Sequence, residues 1–244
     1  MPNNASRFIK NRGISITYNR INHILWYVSE CYLLLKQTKP SYSKSWVKEK
    51  TTHHFEDYLK AEFVDRYLIP NKALLSKRTS DLEQINFTYE TQKRYIDIED
   101  GKDKPDKIDI YINKLGLQKE WNTEDEHIYF AIECKRITVN SDYKMYITDI
   151  EKFVNREYSK LRLPYEGQIA FIENSSLDHV NASIEINSSL KKADTITTTQ
   201  YLGSAKIHDN FPGSYSSTHK RNHGDRADFS VFHLLFDYSD IVVE

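Results

Sequence analysis

The stretch DFSVFHLLFDY, Asp228 to Tyr238, is apolar on both faces when read with the two-residue period of a β-strand. A strand without a polar face has to be covered on both sides, so it belongs inside a sheet flanked by helices. GQIAFIE, starting at Gly167, reads as a shorter buried strand. Helical patterns elsewhere supply the cover. Ile21, Leu25, Val28, Tyr32 and Leu35 recur at alternating spacings of four and three, which predicts an amphipathic helix over Ile14 to Thr38. A second helix is expected from about Trp46 to Leu68, with Leu59, Phe63 and Tyr67 on one face and Pro70 just beyond it. A third runs from about Asp142 to Leu161, capped by Ser141, with Ile147, Ile150, Val154, Tyr158 and Leu161 buried. Ser176 to Ala193 reads as a fourth, and ITTTQYLGSAKIH as another late strand. With NFTYETQKRYIDI and two strands discussed below, the expectation is one α/β domain with a helical N-terminal extension.

Composition narrows the function. At 39% hydrophobic and 28% charged residues the chain reads as a soluble globular protein. Its N-terminus lacks the apolar core of a secretory signal, and its longest apolar run, Ile24 to Val28, is far below a membrane span. With only seven glycines there is no GxGxxG or Walker loop, which removes the common nucleotide-dependent classes. Cys31 and Cys134 are not in a CxxC pair, so free thiols in a reducing compartment are expected, and cytoplasm is the default location.

Two further stretches carry charges where strands ordinarily bury apolar groups. In KPDKIDIYI, starting at Lys104, alternation puts Ile108, Ile110 and Ile112 on one face and Asp109 with Tyr111 on the other. In YFAIECKRI, starting at Tyr129, Glu133 and Lys135 share a face with Ala131, while Ile132 and Cys134 take the opposite one. If the strands are neighbours in a long-looped hairpin, Asp109, Glu133 and Lys135 meet on one side. Two carboxylates on a rigid platform suit Mg²⁺, which keeps waters and substrate phosphate oxygens in its octahedral shell. A lysine beside them can orient the attacking water or stabilise a phosphoryl transition state. The backbone carbonyl of Cys134 is a further candidate ligand. The competing reading is a cross-strand salt-bridge cluster on a solvated face.

Asp109 followed by Glu133-Cys134-Lys135 resembles the D…(D/E)xK signature of the PD-(D/E)XK nuclease superfamily, over about Glu56 to Phe171. The resemblance implies a restriction-endonuclease-like core: a mixed central sheet flanked by helices, with 14–68 as the helical N-terminal part, about 84–173 as the motif-bearing core, and 174–244 completing the sheet. It implies a Mg²⁺- or Mn²⁺-dependent phosphodiesterase acting on nucleic acid, DNA in preference to RNA, in restriction or anti-phage defence. Asp109 and Glu133 would hold metal, with Lys135 placing water and charge. EDYLKAEFVDRYL is similar to the family's leading acidic helix, which carries an extra metal-supporting role to Glu56, and less well to Glu62. The literal Pro-Asp pair is Pro105-Asp106; by parity Asp106 faces with Ile108, which leaves it the fallback for Asp109.

For nucleic-acid contact, Lys144, Lys152, Arg156 and Lys160 recur at multiples of four along the third helix. His219, Lys220 and Arg221, in the loop-like STHKRNHGDR, are candidate phosphate contacts. Zinc at His219 and His223 lacks carboxylate support. His233 reads as a core histidine. A contrasting function is a non-catalytic binding module beside a partner subunit. The stripe on the first helix could serve a homodimer or cap the sheet.

Overall fold

The computed structural model describes residues 4–97, 100–124, 128–157, 163–222 and 227–244. Helix α1 (Asn4–Thr38) is followed by β1 (Tyr42–Ser43), α2 (Lys44–Lys50) and α3 (Phe55–Phe63), which continues into one π-helical turn, Val64–Leu68. Then come α4 (Lys72–Arg78), a 3₁₀ turn, β2 (Asn86–Asp97), β3 (Asp103–Asn113), α5 (Gln118–Trp121) and β4 (Tyr129–Ile137). The remainder is α6 (Asp142–Asn155), β5 (Arg156–Glu157), β6 (Tyr165–Ile172), α7 (His179–Lys192), β7 (Thr198–Ser204), β8 (Ser214–Lys220), β9 (Asp228–Asp237) and β10 (Val242–Val243). Among the described residues the main sheet has eight strands in the order β5-β2-β3-β4-β6-β9-β8-β7, mixed because β4–β6 and β6–β9 pair in parallel and the other neighbours antiparallel. The fold is α/β.

Both faces of the sheet are covered, as the apolar stretches demand. On one side Ile21, Leu25, Val28, Tyr32 and Leu35 of α1 pack with Leu59 and Phe63 of α3 against Ile110, Ile132, Cys134, Ile169 and Phe236. On the other, Tyr143, Ile147, Ile150 and Val154 of α6 and Ile186 of α7 cover Ile137, Ala170, Ile172 and Leu235. Each such fully buried aliphatic or aromatic side chain contributes about 1.5–3 kcal/mol of transfer free energy. The apolar stripe of α1 is therefore spent on the sheet: Tyr32 stacks on Phe236 with ring centroids 4.1 Å apart. β6 is buried along its whole length, and Gly167 is what lets it approach β4. A Cβ there would come within 2.7 Å of Ile132 Cγ1 and 3.0 Å of Phe130 Cζ.

Several expected boundaries move. The second helix is interrupted at Thr51–His54, where the Thr51 N–H closes α2 on Val47 O and extended backbone follows. The third helix stops at Asn155, not Leu161, because Arg156 and Glu157 turn into extended backbone and pair with the end of β2; Tyr158 and Leu161 lie outside the described residues. Ser141 makes no side-chain cap there. Asp142, the first residue of α6, instead ties the preceding loop to the helix, its Oδ2 accepting from the N–H groups of Thr138 and Val139 and the Thr138 hydroxyl. The fourth helix starts later, capped by Asp178, whose carboxylate accepts from Asn181 N at 2.7 Å. STHK, expected in a loop, is the end of β8, paired along β9. Its alternating polar residues read as loop chemistry, yet the strand is held by its neighbour.

Candidate active site

β3 and β4 pair antiparallel only as far as Ile110 opposite Ile132. Beyond that point the β4 edge has no strand beside it, and its N–H groups are taken by carboxylates from three different elements. Cys134 N donates to Asp109 Oδ2 at 2.8 Å, Arg136 N to Glu56 Oε2 at 2.9 Å, and Thr138 N to Asp142 Oδ2 at 2.8 Å. An exposed strand edge must find acceptors somewhere. Here the acceptors are acidic side chains, and the notch between the splayed strands becomes the site.

The notch has a local cause in β2 and β3. The β2–β3 ladder pairs Tyr89 with Ile110 and Thr91 with Ile108, skipping Glu90 and Asp109. Glu90 has φ +56°, left-handed backbone that non-glycine residues rarely adopt. The alternation of β3 breaks at this point. Ile108 does not share the side of Ile110 and Ile112, as strict parity requires, but joins Tyr111 and Ala131 in a small separate cluster. Asp106 is buried and ion-paired with Arg156, which leaves the β4 gap to Asp109.

Glu133 and Lys135 lie on the α6 side of β4. Glu133 is 4% exposed, and among the described residues it takes no hydrogen bond and no ion pair. Burial first, then the nearby Asp109 and Asp149, push its carboxyl well above the ordinary range. Its register neighbour on β6, Gln168, donates to Tyr146 O but leaves its own Oε1 buried without a donor. Asp149, fully buried on α6, holds Lys152 at 2.5 Å, and its Oδ2 lies 3.5 Å from Lys135 Nζ without a hydrogen bond. Lys135 also lies 3.3 Å from Glu56. Burial lowers the lysine's proton affinity, but Asp149 and Glu56 outweigh it and hold the group above its usual value. Lys135 is therefore a fixed cation, suited to stabilising negative charge and not to taking up a proton.

Asp109, Glu133, Lys135 and Glu56 are thus brought to one notch. In a strand the N–H and C=O of one residue project to the same edge, so the Cys134 carbonyl lies on the Asp109 side with its N–H. The Cys134 side chain is buried in the main core, with its thiol pushed up by burial. Glu62 is elsewhere, ion-paired with Arg66. Lys152 and Arg156 line a cleft of about 300 Å³ beside the notch, with Tyr95, Thr148 and Asn155. Lys144 borders a different groove, so the basic stripe is divided, and Lys160 lies outside the described residues.

Two of the expected phosphate contacts, His219 on β8 and Arg221 just after it, are corrected. His219 is fully buried and hydrogen-bonded to Ser217 and Thr198; burial pulls its pKa down to about 4, so it is neutral. Arg221 is turned inward onto Phe153 O, Leu163 O and Glu166. Neither faces a ligand. Two site residues were not singled out from sequence. Asp149 interrupts the apolar stripe of α6 between Tyr146 and Phe153, and Lys60 falls between Glu56 and Phe63 on the buried side of α3, with its ammonium 2.8 Å from Asp109. Both signals are a charge at a core position of a helix.

Among the described residues no three His, Cys, Asp or Glu side chains converge into a ready metal cage. A hydrated Mg²⁺ does not need one, since it binds through one or two carboxylates and keeps its waters. Glu133 and the orphaned Gln168 Oε1 fit that requirement, one as a buried carboxyl that a cation would ionise and the other as an acceptor for a coordinated water. No protein family, curated protein or solved structure matches the chain. Among the described residues no helix is long and apolar enough to cross a membrane.

Proposed function

We propose that the chain is a divalent-metal-dependent nuclease of the PD-(D/E)XK kind, with a restriction-endonuclease-like core, cutting DNA in preference to RNA. The observation that carries this is the buried Glu133 beside Asp109, without a partner among the described residues, at the place where β3 and β4 part. A structural salt-bridge cluster would have paired that carboxylate. Leaving it unpaired costs about 1–3 kcal/mol or more, which a cation repays.

Asp109, Glu133 and the Cys134 carbonyl are the groups that would hold Mg²⁺ or Mn²⁺, and Glu56 is the support for a second ion or its water. When bound, the metal supplies Lewis-acid charge at the scissile phosphate and an acidified water. Lys135 stands two residues from Glu133 as a permanent cation and neutralises charge developing on the phosphate. Asp149 orients Lys135 from below. Lys152 and Arg156 are the two cations of a cleft they share with Asp97 and Glu151, and they are the candidate contacts for a phosphate backbone. The preference for DNA and a role in restriction or anti-phage defence rest on the motif resemblance.

A second reading, a non-catalytic binding module, is favoured by one feature: both oxygens of Asp109 are already engaged, by Lys60 and by Cys134 N. One assay separates the two. Plasmid, single-stranded DNA and RNA are incubated with the protein in Mg²⁺, Mn²⁺ or EDTA, beside Asp109→Asn and Lys135→Ala. Metal-dependent cutting by wild type, lowered about 100-fold or more in both variants, is the expected result. Cutting that survives both substitutions would remove the site assignment, and no cutting of any substrate would favour the binding module.

A further inference from the structure

Lys60 is the feature of this site that the hydrolytic scheme does not use. It is 0% exposed, on the buried face of α3, and its ammonium lies among three carboxylates: Asp109 Oδ1 at 2.8 Å, Asp57 Oδ1 at 2.8 Å and Glu90 Oε1 at 3.5 Å. Desolvation opposes its charge, but Asp109 and Asp57 more than offset this and keep it protonated. A buried ammonium is held only where its partners are well placed. Two of those partners belong to no other part of the scheme. Asp57 comes from the first turn of α3, and Glu90 is carried by the left-handed residue that breaks the β2–β3 ladder.

We propose that Lys60 is the resident counter-ion of Asp109, and that a divalent cation loads the site by exchanging with its ammonium. This rests on the nuclease reading only in taking Asp109 as a metal ligand. One Asp109 oxygen is bound to the Cys134 N–H, and the other to Lys60, so the carboxylate cannot accept a metal fully without releasing one of them. The backbone N–H is fixed in β4. The lysine is the mobile partner, on a four-carbon stem with rotatable donors. Its release is not a release into water, because Asp57 and Glu90 remain beside it, a berth shared with Lys107, which lies 2.8 Å from Glu90 and 3.9 Å from Asp57. Burial raises the pKa of Asp57, but Lys60 and then Lys107 outweigh it and hold the carboxyl below its usual value, so the berth is charged at neutral pH. Cation exchange of this kind sets a threshold: the site stays closed to metal until the divalent concentration overcomes a competitor that is always present.

The test measures metal affinity without reference to cutting. Mn²⁺ is titrated calorimetrically into the full chain as wild type, Lys60→Gln and Lys60→Arg, with Asp109→Asn as the control that removes the ligand. Lys60→Gln is expected to bind Mn²⁺ at least tenfold more tightly than wild type, and Lys60→Arg more weakly, since a bidentate guanidinium holds Asp109 harder. Because Lys60→Gln leaves the buried Asp109 without its counter-ion and can fail to fold, wild type is also footprinted. A lysine-acetylating reagent is applied with and without Mn²⁺, and mass spectrometry reads Lys60. Acetylation of Lys60 that rises at least threefold with Mn²⁺ supports the exchange. Unchanged protection at saturating Mn²⁺, equal affinity in the three lysine forms, or no Mn²⁺ binding by any of them overturns it. The nuclease reading fails separately: tighter Mn²⁺ binding in Lys60→Gln, with no cutting of any nucleic acid, leaves the exchange standing without the nuclease.

Discussion

Glu133→Gln tests whether the site stores an uncompensated charge. The substitution keeps shape and volume while removing an anion that is 4% exposed and, among the described residues, has no donor. Such a group costs about 1–3 kcal/mol or more when left unpaired in the interior. For a chain of 244 residues, about 2 kcal/mol corresponds to roughly 4 °C in Tm. The sign with pH follows from the direction of the shift. The folded-state pKa of Glu133 is raised above 4.5, so the folded wild type holds its proton where the unfolded chain has lost it. Wild-type stability is therefore complete near pH 4.5 and is lost as pH rises toward the folded value, by up to about 1.4 kcal/mol per pH unit. The expected result, in EDTA, is a variant that melts roughly 4 °C above wild type at pH 8, with the gap closing near pH 4.5. Adding Mn²⁺ should narrow the gap at pH 8, because only the wild-type site gains binding energy. A variant no more stable than wild type at pH 8, or a gap that ignores pH, would refute the reasoning. Comparing the two proteins at each pH cancels the titrating groups that do not interact with Glu133.

Three further outcomes are expected. His219 and His233 sit in a buried chain, with Ser217 between them and Tyr146 on the far side of His233, and burial lowers their pKa values to about 4 and about 3. Below pH 6.5 the unfolded chain gains two protons that the folded state refuses, so stability should fall by about 4 kcal/mol between pH 7 and 5, measured by urea unfolding in a Glu133→Gln background; a flat profile there would contradict the neutral pair. Arg156→Met removes one ion pair of Asp106, which is 5% exposed, and should lower unfolding free energy by about 3 kcal/mol while leaving the Cys134 thiol unreactive. Gly167→Ala puts a methyl 2.7 Å from Ile132 Cγ1 and should cost about 1–3 kcal/mol, read as a shifted denaturation midpoint.

Periodicity and alternation alone assign most of this molecule. The stripe on α1, the doubly apolar β9 and β6, and the hairpin that carries Asp109 and Glu133 all follow from local spacing, because burying one face leaves a period that neighbours in sequence must obey. For the same reason Glu133 and Lys135 could be assigned to one side of β4, with Cys134 on the other. Tertiary structure decided what spacing cannot encode. Whether β8 is a strand depended on β9 beside it, and His219 became a core residue once that strand was in place. Asp149 and Lys60 enter the site from helices on opposite faces of the sheet, with no sequence relation to the residues they touch. The notch itself arises where β3 and β4 separate, opposite a left-handed Glu90, and strict alternation gives no hint of that. Parity predicts the side of a strand from which a charge projects, whereas the charge's partner depends on three-dimensional packing, and for Glu133 that packing left none among the described residues.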